Sequence, residues 1–250
     1  MRTYALDIET IAVNADEYIA NQYEIEKAKL LKKLNTDIEK AKSYKRDDTI
    51  AKHTAVAEAK FEEDAASIIE KIEKKLIGRR DFTQIICIDV ACNLDGAIRH
   101  RWFYDNDEKL VLQQFAHFVD FIDGEFRFVT FNGDAFDIPQ LIAGFTRHDI
   151  RLQHPLLMKQ FVDLMKYPFE RFCSGTIKLD DLAAIYGVKV PETPAYKVSD
   201  FEGVELDGSY VLEMYKLDRS DNGERVPAYC SADTYKTLMI FDAVSRMIAI

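Results

Sequence analysis

The spacing of apolar positions changes period several times along the chain. Tyr4-Ala5-Leu6-Asp7-Ile8-Glu9-Thr10 reads as a strand whose apolar run ends in two acids two residues apart. From about Ala15 to Leu76 there is neither Gly nor Pro, and Lys and Glu are dense. Within that stretch Leu31, Leu34, Ile38 and Ala41, then Phe61, Ala65, Ile68, Ile72 and Leu76, recur every three or four residues. The polar segment from Ser43 to Asp48 separates the stripes, so two antiparallel helices are predicted, a hairpin inserted into a compact domain. Phe82 to Cys92 is apolar enough for a central strand, Asn93-Leu94-Asp95-Gly96 supplies a turn, and Ala97 to Tyr104 returns as its partner. Leu110, Val111, Phe115, Phe118, Val119 and Ile122 place a helix behind a cap at Asp105 or Asp107. Arg127 to Phe131 is a short strand ending in Asn132-Gly133, and a helix follows from about Phe136 to His148 with Pro139 in its first turn. Helices are predicted over Leu156–Met165 and Leu179–Tyr186, the second stopped by Gly187, then a loop-rich Pro191–Gly208 and a closing helix from about Ala228 to Ile250. The order describes an α/β fold, a mixed sheet flanked by helices, with one domain over residues 1–250 and the hairpin at 15–76 inserted within it.

Composition narrows this picture. With 250 residues, 48% of them apolar, the chain can bury one sizeable core. A formal charge of -10 argues against nucleic-acid binding through a broadly basic surface. It does not exclude a nucleic-acid enzyme, because acids that ligate a divalent ion are neutralised by it. Cys87, Cys92, Cys173 and Cys230 lack C-x-x-C spacing and disulfide-scaffold density, so reduced thiols and a cytoplasmic location are expected. Acidic residues stand near the N-terminus where a secretory leader needs an apolar core, and no apolar run approaches membrane length, so neither a leader nor a membrane partner is expected.

Three constellations carry candidate chemistry. Asp7 and Glu9 emerge on one face of their strand, a few ångströms apart, and paired carboxylates suit magnesium or manganese rather than zinc. On its own, such a pair more often closes a strand at the surface. Asn132-Gly133-Asp134-Ala135-Phe136-Asp137 stands where a strand ends and a helix begins, and Asp137 in the first turn is also an ordinary helix-start acid. Tyr229 and Asp233, four apart on the last helix, share a face, as they would on any amphipathic helix with one exposed acid.

In order and chemistry these motifs resemble the DEDD, or DnaQ-like, superfamily of 3′ to 5′ exonucleases, which has the ribonuclease-H-like fold. They stand here as Asp7-Ile8-Glu9-Thr10, Asn132-x-x-x-Phe136-Asp137 and Tyr229-x-x-x-Asp233. Tyr at position 229 resembles the tyrosine subclass. The surrounding Phe128-Val129-Thr130-Phe131-Asn132-Gly133, Tyr229-Cys230-Ser231-Ala232-Asp233 and Leu179-Asp180-Asp181-Leu182-Ala183 are similar to free-standing exonucleases related to the proofreading domain of family B polymerases. The resemblance covers residues 1–12 and about 80–250, not the hairpin. It implies two divalent cations, Mg2+ or Mn2+, held by Asp7, Glu9, Asp137 and Asp233, with Asp7 bridging them. It further implies that Tyr229 orients the attacking water, and that Thr10, Asn132 and Phe136 contact the terminal nucleotide, although Phe136 reads equally well as core. Asp134, Asp163 and Asp181 read as caps or surface acids, and His148 and His154 as surface residues of a loop.

The expected activity is removal of nucleoside 5′-monophosphates from single-stranded DNA or frayed 3′ ends, in proofreading, repair or phage replication within a host cytoplasm. RNA remains an alternative substrate, since discrimination at the 2′-hydroxyl has no linear signature here. A third reading makes the hairpin an interaction module. Its balanced charges favour a solvated helical surface over a DNA-binding arm, yet its narrow apolar stripes could dock a separate DNA polymerase or replication protein.

Overall fold

Strand alternation organises the larger of two compact units, which comprises Met1–Ile11 and Thr83–Ile250, the other being Ala12–Phe82. The computed structural model describes residues 1–13, 16–76, 82–156, 158–166, 177–201, 204 and 206–246. In β1 (Arg2–Ala12), Tyr4, Leu6 and Ile8 point into a core with Ile88, Phe115 and Phe128. Ala5, on the opposite face, packs with Ala91 and Leu238. Asp7 and Glu9 continue that second face.

The sheet has five strands in the order β3-β2-β1-β4-β5. β2 (Thr83–Leu94) and β3 (Ala97–Tyr104) are antiparallel, joined through Asp95 and Gly96, both at positive φ as a two-residue hairpin loop requires. β4 (Phe126–Thr130) runs parallel to β1 and to β5 (Phe161–Asp163). The first face is covered by α4 (Glu108–Asp120) and α5 (Asp137–Arg147), whose Val111, Leu112, Phe115 and Leu141 are buried. Asp107 caps α4 by accepting the Lys109 N–H at 2.9 Å. The second face meets α6 (Leu179–Ile185) and α8 (Arg225–Ser245) through Leu182, Ile240, Phe241 and Val244 around Val129.

Several expectations are corrected. The segment predicted as a helix over 156–165 is a 3-10 turn at Met158–Gln160 followed by β5. Phe161 packs into the first-face core and Val162 into the second, a two-residue period that favours a strand. The closing helix starts at Arg225 rather than Ala228, and the unpredicted α7 (Val211–Asp221) precedes it, ended by Asn222 at φ 57°. A clasp fixes this corner: Asp218, buried, accepts from Tyr104 Oη at 3.0 Å and from the N–H groups of Arg225 and Val226 at 2.9 and 3.0 Å. Residues 247–250 of the predicted helix lie outside the described residues. So does Cys173, while Cys87, Cys92 and Cys230 are free thiols. Gly187, at φ 65°, ends α6. His148 is not a plain loop residue, because its Nε2 meets Glu108 Oε2 at 2.7 Å.

The smaller unit contains α1 (Asp16–Lys42), α2 (Asp47–Ala66) and α3 (Ile68–Leu76). Leu30 and Leu34 of α1 line a cleft with Phe61 and Ala57 of α2, and the short turn from Lys42 to Asp47 makes the packed pair antiparallel. The second apolar stripe is divided between α2 and α3 at Ser67, whose hydroxyl donates to Asp64 O at 2.9 Å. Ile68, Ile72 and Leu76 form the buried core with Tyr18, Ile19, Tyr23 and Phe82 around them. At its base Val13 N–H donates to Phe82 O at 2.7 Å. Among the described residues no helix is long and apolar enough to cross a membrane.

Candidate active site

β1 delivers Asp7 and Glu9 to the face where α8 crosses. Small residues allow the approach: Ala5 and Ala91 are fully buried beneath Leu238. Cys230 of α8 is seated against β1, its thiol donating to Asp7 Oδ2 at 3.3 Å and lying 3.6 Å from Asp7 O. The donor atoms of Asp7, Glu9 and Cys230 all fall within 4.8 Å of one another, a grouping able to hold a metal ion. Tyr229 and Asp233 flank Cys230 on α8, and the Tyr229 hydroxyl is near enough to Asp233 to help hold its carboxyl down against burial.

Asp137 arrives from the start of α5. The turn that carries it begins at Asn132, which is exposed and adopts φ 63°. Gly133 serves by lacking a side chain, since a Cβ there would stand 2.1 Å from Thr130 Oγ1. Asp163, at the end of β5, ties the turn down. Its carboxylate accepts the N–H groups of Asn132 at 2.8 Å, Asp134 at 3.2 Å and Met165 at 3.0 Å. Phe136 occupies the N-cap position of α5 and is half-buried. Asp134 pairs with Lys166 at 3.0 Å, and Asp181 is exposed. Thr10 is buried on the face of β1 opposite Asp7 and Glu9.

The carboxyl groups resist ionisation together. Burial first, then the charge of Asp233, pushes Asp7 up to about 7 from its usual 3.8. Burial and the neighbouring Asp7 hold Glu9 and Asp137 well above the carboxylate range. Asp137 is 2% exposed, and its Oδ1 has no hydrogen-bond partner. Burial raises Asp233 less, because Lys236 stands 2.7 Å from its Oδ1. Burial works against the charge on Lys236, but Asp233 and Asp180 more than offset it, so its pKa lies above the ordinary value. Burial and then Asp233 hold the Tyr229 hydroxyl far above its usual range, so it is a neutral phenol.

Sequence reasoning missed several participants. Lys236 lies one turn beyond Asp233, and that spacing was the available signal. Asp89 is fully buried on β2, accepts from Thr234 of α8 and pairs with His100 Nδ1 at 2.7 Å, while Tyr196 Oη meets His100 Nε2 at 2.9 Å. This chain secures α8 beside Asp233.

A mixed five-stranded sheet with helices on both faces, and acids from β1, α5 and α8 gathered at one place, is a ribonuclease-H-like exonuclease fold. The chain belongs to the family described as predicted 3'-5' exonuclease related to the exonuclease domain of PolB, whose model matches residues 79–249. Asp137, Tyr229 and Asp233 fall inside the match, whereas Asp7 and Glu9 precede it. Comparison with curated proteins finds no match.

Proposed function

We propose that the protein is a metal-dependent 3′ to 5′ exonuclease of the tyrosine subclass, acting on single-stranded DNA or frayed 3′ ends and releasing nucleoside 5′-monophosphates. The observation that carries this reading is the grouping of Asp7, Glu9 and Cys230 within 4.8 Å on a family exonuclease fold, with Asp137 and Asp233 near enough to add to the charge that these acids feel. A cluster whose members all resist ionisation is one that divalent cations would stabilise, and the unbonded Asp137 Oδ1 is an oxygen ligand in waiting. The four carboxylates would hold two ions, Mg2+ or Mn2+.

Bound ions of this kind supply an acidified water and neutralise charge at the phosphate. The chain's own groups do the rest. Tyr229, a neutral phenol beside Asp233, orients the water by hydrogen bonding and does not act as a base. Cys230, its thiol donating to Asp7 Oδ2, helps hold that carboxylate in place. Half-buried Phe136 offers a ring for the terminal base, and exposed Asn132 offers an amide. Thr10, with its side chain on the other face, would reach a nucleotide through its main chain.

The test is magnesium-dependent digestion of a 3′-labelled oligonucleotide, with matched DNA and RNA strands in one assay. Asp7→Ala and Asp137→Ala are each expected to lower the rate at least about a thousandfold, as for groups that act as a unit. Wild-type digestion by either variant would sink the assignment, and faster cleavage of the RNA strand would move the substrate class.

A further inference from the structure

Lys236 projects from α8 one turn beyond Asp233 and carries the cation nearest the acidic cluster among the described residues. Its ammonium lies 2.7 Å from Asp233 Oδ1 and 2.6 Å from Asp180 Oδ1, on α6. The two anchors differ in setting: the Asp233 side chain is 19% exposed and that of Asp180 is 57% exposed. An ammonium is donor only, so it occupies an Asp233 oxygen that a divalent ion would also seek, and two cations on one carboxylate repel. Asp180, outside the cluster and open to solvent, offers Lys236 a second partner from which no ion needs to displace it.

We propose that Lys236 is a positioning residue, a built-in counter-cation that holds Asp233 when no metal is bound, and that Asp180 draws it aside when a divalent ion arrives. The proposal rests on the metal reading of this site. It gives the two anchoring changes opposite signs. Without Asp180, Lys236 retains Asp233 as its one anion and competes harder with the ion. Without Lys236, Asp233 is uncommitted and the ion binds more easily. A pair that served only to hold α6 against α8 would weaken ion binding in both variants.

The experiment is calorimetric titration of the full chain with Mn2+, alongside the Mn2+ dependence of oligonucleotide digestion. Asp180→Asn is expected to weaken Mn2+ binding and raise the half-saturating Mn2+ concentration by up to about tenfold, the lower end for partners of metal ligands. Lys236→Met is expected to tighten Mn2+ binding, and Lys236→Arg to return it toward wild type. Shifts of the same sign in Asp180→Asn and Lys236→Met, or no shift in Asp180→Asn, would overturn the proposal while leaving the metal site standing. A wild-type chain that binds no Mn2+ would overturn both. Should Lys236→Met fail to fold, Lys236→Gln takes its place, since the opposite sign at position 236 is what separates the proposal from a purely structural pair.

Discussion

Asp7 shows at the scale of one residue how a crowded acidic site opposes its own fold. Its carboxyl is pushed up to about 7, so at intermediate pH it is protonated in the folded protein and ionised in the unfolded chain. The stability this brings is fully present below the ordinary value of 3.8 and is lost as pH rises through about 7; Glu9 and Asp137, raised by the same burial and crowding, add in the same direction. Ion-free protein is therefore expected to melt at a lower temperature at about pH 8 than at about pH 5, and Mg2+ to raise the melting temperature more at the higher pH. Differential scanning fluorimetry with and without chelator checks both, and a melting temperature that climbs with pH in chelator would contradict the assignment of strain to these acids. Strand and helix periods paired Asp7 with Glu9 and Tyr229 with Asp233 in the sequence, whereas Asp137 joined them only through the resemblance of its motif to the exonucleases. The pairing of Lys236 with Asp180 was not legible there, because their meeting depends on how α6 packs on α8.

At the scale of elements, the turn from β4 to α5 is shaped from outside itself. The Asn-Gly dipeptide announced a turn, but the side chain that stabilises it, Asp163, belongs to a strand that periodicity alone made part of a helix. Three residues are too short a span to show a two-residue period in sequence; only the burial of Phe161 and Val162 on opposite faces defines it. Asp163→Ala removes the acceptor of three N–H groups and is expected to destabilise the larger unit by about 2–4 kcal/mol. Because the same turn leads to Asp137, digestion should fall as well, even at temperatures where the variant remains folded. Urea unfolding paired with the oligonucleotide assay separates the two effects, and an unstable variant with wild-type turnover would show that the turn does not position Asp137. The α7–α8 corner was likewise hidden, since its Asp218 clasp ties it to Tyr104 of β3, 114 residues earlier in the chain.

At the scale of the molecule, the insertion begins and ends at one point, where Val13 N–H meets Phe82 O. Replacing residues 13–82 by a short Gly-Ser linker should therefore leave the larger unit folded and able to digest 3′-labelled DNA, as circular dichroism and the same assay would read. Loss of capture of a polymerase or replication protein on that deletion, with hydrolysis retained, would assign the hairpin a docking role; loss of hydrolysis would bind it to catalysis. The exposed turn at residues 43–46, at the far end of that hairpin, has a further consequence. A single cut there would put Asp7 and Glu9 on one fragment and Asp137, Tyr229 and Asp233 on the other, each chemically incomplete. Pairing of α1 with α2 and of β1 with its neighbouring strands would then reassemble a working enzyme from two silent halves, a nuclease that can be switched on by bringing its pieces together.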